Sequence, residues 1–340
     1  NYWWKCILML EIRFAKLLDT DNIMKFIHSH WKENHILSRN KDLFLYEYQD
    51  NDTINFVIAI DNKNNIYGIL GFIKSSNSNS DIWAAMWKAI KHDAHPMLGI
   101  ELLEYLRNAN NYNRLTCVGI NTNTVAIYHY LGIYTNHLNQ YVIINKNIQK
   151  FNILKVEDIE FIKQINFIEN TQYSLIKLEE CELDFNFDSQ DYIPHKDKDY
   201  FIKRYFNHPI YNYIVYGIYK EELLTSLIIT REVAIDNSKI LRVMDYLGDE
   251  NDIVHVSKYI YQIVTNNSYE YIDFMCYGFD EKNLKKAGFK KVDLDSSNII
   301  VPNYFSPFVQ ENIKIKFFAD IKDISKIRIC KADGDQDRPN

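Results

Sequence analysis

The chain has 340 residues, 47% of them hydrophobic and 25% charged, which is the make-up of a globular protein long enough for two domains of ordinary size. Its formal net charge of -6 argues against a nucleic-acid binder that works through a broad basic surface. The five cysteines (Cys6, Cys117, Cys181, Cys276, Cys330) are far apart and form no CxxC pair; this fits a reducing, cytoplasmic setting and gives no zinc signature. No run reaches the length of a membrane span. The opening NYWWKCILML is apolar but short and lacks a small-residue cleavage site, so it reads as a displaced start or a strand extension rather than a signal peptide.

In chain order, Glu11 to Leu18 reads as a strand, and Asp19 or Thr20 caps a helix through Ile23, Phe26 and Ile27. HSHWKENHILSRNKDLFLYEYQD follows, a surface helix-turn-helix by its mixture of His, Trp and charge. Ile54–Ile60 and Ile66–Ile73 flank DNKNN, a hairpin signal, and SSNSNS is a polar loop. DIWAAMWKAI is an apolar strand. It ends in a polar turn (Lys91, His92, Asp93, Ala94, His95) with Pro96 at a first helical position. The helix beyond carries Met97, Ile100, Leu103 and Leu106 on one face, with Gly99 in its first turn. A second strand, Leu115 to Ile120, leads through Asn121 to a helix containing Ala126, Ile127, Tyr128 and Leu131, closed by Gly132. Gln140–Ile144 is a final strand. A strand entering a helix through a glycine-bearing turn offers unpaired amides and a positive dipole, which suits a pyrophosphate; an ordinary βα unit has the same outline.

In this stretch the chain resembles the GNAT family, the coenzyme A-dependent N-acyltransferases. The order Asn121, Ala126, Tyr128, Leu131, Gly132 is similar to the family's second strand and helix, with Ile133 where Phe is usual. HPMLGIELL keeps Gly99 but lacks the other glycines and the leading basic or Gln residue of the family's pyrophosphate turn. The resemblance implies an α/β (α+β) fold with a central mixed, mostly antiparallel sheet flanked by helices. It implies acyl-coenzyme A, in the first instance acetyl-coenzyme A, as co-substrate, held by Trp87, Ala89, Ile90, Met97, Leu98, Gly99, Ile100, Asn121 and Tyr128. Tyr128 would protonate the departing thiolate, a strand amide between Trp83 and Ile90 would take the carbonyl oxygen, and His92 or Asp93 would be the base, with His95 a further candidate by type. Each has a plainer role open to it: His92 as a solvated turn residue, Tyr128 as a packed aromatic.

The pattern then repeats with the period of a whole domain. KVEDIEFIKQI reopens a strand and helix, and Tyr211–Ile235 is a hairpin turning at Lys220–Glu222. ILRVMDYLGDENDIVHVSKYIYQIV gives strand, turn and helix; YEYIDFMCYGFDEKNLKKAGFKKV ends in Ala-Gly-Phe. The expected organisation is two tandem GNAT-like domains, residues 1–150 for acyl donor and catalysis and 151–330 for shaping the acceptor site, with a tail at 331–340. In the second copy Asp249, Glu250 and Asp252 occupy the turn and would repel a phosphate, so one donor per chain is expected. Between the copies, aromatic residues interleave with His195, Lys196, Lys198, Lys203, Arg204 and His208, which suits a nucleotide base with its phosphates or a solvated linker helix. Candidate acceptor contacts are Trp31, His35 and Ser38 in the first copy and Tyr192 and His195 here. In the tail, Asp333, Asp335 and Asp337 are spaced like calcium ligands, but the string ends before a distal Glu, so no metal site is expected and the tail is disordered or docked.

The layout, with WKENHILSRN and KADGDQDRPN, resembles tandem GNAT-type acyltransferases of bacterial surface-polysaccharide (O-antigen, lipopolysaccharide) gene clusters. That implies an amino sugar on a nucleotide as acceptor, no nucleic-acid partner, and a monomer or homodimer. Two rival readings stay open: an aminoacyl-tRNA-dependent peptidoglycan transferase of the FemABX kind, and a non-catalytic GNAT-fold binding protein.

Overall fold

The computed structural model describes residues 9–78, 80–109, 112–157 and 167–339. The apolar opening falls almost wholly outside the described residues, as does the helix expected after Lys155. The described chain divides into two compact units: residues up to Cys117 together with Arg338 and Pro339, and Val118–Asp337.

In the first unit, strands β1 (Glu11–Lys16), β2 (Thr53–Ile60), β3 (Ile66–Ser76) and β4 (Asp81–Ala89) pair antiparallel in that order. β5 (Arg114–Val118, its last residue belonging to the second unit) joins β4 in parallel. Helices α1 (Thr20–His30), α2 (Ile36–Arg39), α3 (Lys41–Tyr48) and α4 (Leu98–Asn108) complete it. The β2–β3 hairpin turns because the Asp61 carboxylate accepts from the amides of Lys63 and Asn65 while Asn64 takes a φ of 63°. The expected SSNSNS loop begins later than its composition suggests: Ser75 and Ser76 complete β3 and are buried. α4 also starts later, at Leu98 with Met97 as its cap. Its buried stripe is therefore Leu98, Leu102, Leu103 and Leu106, and Met97 is left outside, 54% exposed. The strand is apolar on both faces and buried from Asp81 to Met86, as expected for a sheet covered on both sides.

In the second unit, α5 (Val125–Tyr130) precedes β6 (Tyr134–His137) and β7 (Asn139–Ile144). The repeat follows as β8 (Tyr173–Lys177), the short α6 (Lys198–Phe201), β9 (Tyr213–Lys220), β10 (Leu223–Ile235) and β11 (Ser238–Gly248). Then come α7 (Asp252–His255), α8 (Ser257–Asn266), β12 (Tyr271–Tyr277), α9 (Glu281–Lys286), β13 (Lys290–Lys291), β14 (Lys316–Asp320) and β15 (Ile329–Cys330). The sheet order is β8-β9-β10-β11-β12-β7-β13, and β11 and β12 are parallel.

This order corrects the expectation that Gln140–Ile144 closes the first domain. β7 lies between β12 and β13, pairing with both, whereas β6, on the other side of Leu138, pairs with β14. Lys316 at the start of β14 accepts from the amides of Gly119 and Ile120. The reopening strand is also corrected: Lys155–Val156 pairs with Ile299–Ile300 in a separate two-stranded sheet.

The linker between the copies is solvated only in part: Lys198 and Lys203 are exposed, and Arg204 and His208 are half-buried. His195, Lys196, Tyr200, Phe201 and Tyr205 are buried. The tail is docked: β15 pairs with β12, and Asp333 and Asp337 meet Lys196 and Arg231. Two cysteines distant in sequence, Cys276 and Cys330, face each other across β12 and β15. Both thiols are free, and burial pushes both up, away from the reactive thiolate.

Candidate functional site

In the first unit β4 and β5 pair only at Asp81–Arg114, Ile82–Leu115 and Trp83–Thr116, while β4 runs on to Ala89. Beyond the paired part β4 carries a bulge. Ile69 faces Lys88 and Gly71 faces Ala85, so Met86 and Trp87 together oppose Leu70, and Met86 takes a φ of 53°. The carboxyl half of β4 thus runs on unpaired with β5, and the end of a parallel pairing is where ligands of open sheets bind.

The turn beyond β4 brings several expected residues together. The Trp87 indole Nε1 donates to the Gly99 carbonyl at 3.1 Å. A side chain at Gly99 would start 3.7 Å from that nitrogen and 3.9 Å from the Ala89 Cβ, so ordinary space surrounds the first turn of α4. Ile90 is tied by its amide to the Tyr67 carbonyl. The amides of His95, Leu98, Ile100 and Glu101 bond to His92 or to carbonyls within the turn, whereas those of Met97 and Gly99 have no acceptor among the described residues. The first turn of this 11-residue helix therefore fits a pyrophosphate through two amides and the positive dipole. A carboxylate, Glu101, sits in the same turn, but His95 Nδ1 lies 2.7 Å from its Oε2 and ties it back. That pair, six residues apart, has no sequence signal until the turn conformation is known.

His92 packs edge-on to Tyr67, ring centroids 5.0 Å apart, and 5.4 Å from His95. Its Nδ1 is buried and has no hydrogen-bond partner among the described residues. Asp93 is exposed. Elsewhere in the unit, Trp31 ends α1 and is 41% exposed. His35 caps α2, its Nδ1 accepting from the Leu37 amide at 3.2 Å. Burial, then the charges of Arg338, Lys32 and Arg39, lowers this imidazole to about 4, so it is neutral and its Nδ1 is spent on the cap. Ser38 donates to the His35 carbonyl. Arg338 in turn meets Glu47 at 2.8 Å and the Tyr48 hydroxyl at 2.7 Å.

In the second unit Asn121 is exposed, and its Oδ1 caps the following turn through the Asn123 amide at 2.9 Å. Tyr128 is buried, 3% exposed, with its ring 4.8 Å from Phe318. The repeat places Leu284 at the same step before its closing glycine, likewise buried. Burial at this helix position is thus common to both copies, and the hydroxyl is what distinguishes the first. Both helices close on a left-handed glycine, Gly132 and Gly288.

The repeated cleft is built alike and then filled. The β11–β12 pairing covers Leu241–Val243 against Ile272–Phe274, and β11 has its extra residue at Met244, directly after the last paired position. Beyond that point the tail enters. Cys330 and Ile329 pair with Cys276 and Tyr277, Lys331 donates to the Met275 carbonyl, and Ala332 donates to the Met244 carbonyl at 3.1 Å. Lys196 holds the tail from behind, 2.5 Å from Asp245 and 2.8 Å from Asp333, all three side chains 1% exposed or less. Burial opposes the lysine charge, yet the two carboxylates hold its pKa well above the ordinary value. Of the candidate acceptor residues here, His195 is buried with Nε2 at the Phe187 carbonyl. Tyr192 instead lines a cavity of about 560 Å³ at the ends of β11 and β12.

No protein-family model matches the sequence, and no curated protein matches it. Solved structures do share the fold. A GCN5-related N-acetyltransferase from Anabaena variabilis is similar at 10% identity with a TM-score of 0.55, over 94% of this chain and 74% of that one. A conserved protein of unknown function from Enterococcus faecalis, described as a probable N-acyltransferase, is similar at 7% identity with a TM-score of 0.58, over 92% and 72%. The chain has the GNAT fold, consistent with two GNAT-like domains. Among the described residues no helix is long and apolar enough to cross a membrane.

Proposed function

We propose that this chain is a coenzyme A-dependent N-acyltransferase that moves an acyl group, in the first instance acetyl, onto a primary amine. The observation that carries the reading is the bulged β4 leading into the open first turn of α4, on a fold shared with proteins named as N-acyltransferases. The Met97 and Gly99 amides would hold the pyrophosphate. An amide at the Met86–Trp87 bulge would polarise the thioester carbonyl as negative charge develops on it. The amine attacks that carbonyl, the C–S bond breaks, and the thiolate takes a proton from Tyr128; the ammonium proton passes to a base, His92 or Asp93. The strand β15 in the second cleft supports a single donor site per chain, with residues 151–330 shaping the acceptor side. The finer part of the proposal, an amino sugar on a nucleotide destined for surface polysaccharide, rests on the sequence layout.

Titration of acetyl-coenzyme A by calorimetry tests the reading. Saturable binding at one site per chain, lost on Gly99→Glu, is the expected result. The space around Gly99 admits that side chain without a clash at Cβ, so the loss would report charge rather than misfolding. Absence of binding would favour the second reading, a GNAT-fold binding protein without acyl transfer, which Glu101 in the anion turn favours. Transfer from aminoacyl-tRNA without coenzyme A would replace both.

A further inference from the structure

We propose that the 560 Å³ cavity in the unit Val118–Asp337 is a binding site for a small, hydroxyl-bearing primary amine that carries no phosphate. The cavity lies outside the carboxyl ends of the parallel strands β11 and β12, where their pairing has ended. Its volume falls within the range of small-molecule sites.

The walls are held together by hydrogen bonds. The segment Ser325–Arg328 is tied to the opposite wall, since Ile193 donates to the Lys326 carbonyl and Arg328 to the Ile193 carbonyl, both at 2.8 Å. The Gly248 amide lies 3.0 Å from the Gln190 Oε1 and 3.3 Å from the Tyr192 hydroxyl. At Gly278, φ is 85° and a Cβ would come within 1.8 Å of the Ile327 carbonyl oxygen, so only glycine allows this wall to close so tightly.

The lining decides the ligand class. Its carboxylates are Asp191, Asp249 and Glu250, and its cations are Lys326 and Arg328. Both cations are already engaged. Lys326 lies 2.7 Å from Asp191. Arg328 donates to the Gly248 carbonyl at 2.9 Å, sits 3.8 Å from Glu250, and is covered by the rings of Tyr192 and Phe279. Those pairings leave Asp249 as the carboxylate of this lining that neither cation meets, and three carboxylates against two cations leave a negative excess that disfavours a phosphate and favours a protonated amine. The lining also offers the hydroxyls of Ser189, Tyr192, Thr225 and Ser325 and the Gln190 amide, groups that can hydrogen-bond the hydroxyls of a small polyol. Binding here is independent of acyl transfer, because it needs no donor.

The test is calorimetric titration of the full chain at pH 6.5, without coenzyme A, using glucosamine, glucose and glucosamine 6-phosphate as probes. Glucosamine is expected to bind saturably and at least tenfold tighter than either of the others. Asp249→Asn and Glu250→Gln should each weaken it about tenfold at unchanged melting temperature, since both replacements keep an oxygen for the Asn251 and Asp280 amides. Absence of glucosamine binding, equal or tighter binding of the phosphorylated sugar, or binding indifferent to both variants would overturn the assignment.

Discussion

Replacing Lys196 with Met removes the cation that two buried carboxylates share, and its cost can be worked from the geometry. Breaking a buried pair by removing one partner typically costs about 3–5 kcal/mol, because an uncompensated charge stays buried. Here the carboxylates keep other partners. Asp245 accepts from the Tyr205 hydroxyl at 2.6 Å and the Tyr246 amide at 2.9 Å, and Asp333 accepts from the Cys330 amide at 2.7 Å. Burial already pushes the Asp333 carboxyl above its ordinary value, against the pull of Lys196, so in the variant it escapes by taking a proton. These reliefs place the loss at the low end, about 3 kcal/mol, or roughly 6–12 °C in Tm for a unit of this size. Thermal and urea unfolding at pH 7 measure it. The double variant Lys196→Met, Asp333→Asn should regain at least half of the loss, because only Asp245 then remains charged. A single variant within about 0.5 kcal/mol of wild type, or a double variant with no recovery, would refute the view that this lysine pins the tail through charge.

Tyr128→Phe keeps the ring against Phe318 and should lower kcat by about 10²-fold or more if the hydroxyl protonates the thiolate; an unchanged kcat removes that role. His35 titrates near 6.5 when unfolded and at about 4 when folded. Between those values the unfolded chain binds more protons, so stability rises with pH through the window and is lost as pH falls from 6.5 toward 4. After discounting for partial exposure the effect is about 1–2 kcal/mol, and His35→Asn, which keeps the cap acceptor, should flatten the pH profile of urea unfolding across it. Gly132→Ala should cost about 1–2 kcal/mol, because φ is 73° with open space around it. Gly278→Ala should cost about 3 kcal/mol or more, since strain adds to a collision with the Ile327 carbonyl; equal melting temperatures for the two would contradict this.

The amino-acid sequence by itself determined the local elements. Periodicity marked β4, α4, α8 and both hairpins, Asp61 and Asn64 marked a turn, and Gly132 and Gly288 marked helix ends, because each depends on neighbours a few residues away. It also showed the repeat, and with it the fold. Tertiary structure decided what short-range pattern cannot carry. The buried face of α4 turned from Met97 to Leu98 because the sheet, not the helix, chose which side to cover. Whether Gln140–Ile144 closes one sheet or enters another depends on partners over a hundred residues away, Tyr271–Cys276. Lys196 reads in sequence as a phosphate partner or a solvated charge and becomes a buried anchor only when Asp245 and Asp333 arrive from two other segments. A charge can be buried only where opposite charges converge on it, and convergence is a property of the folded chain.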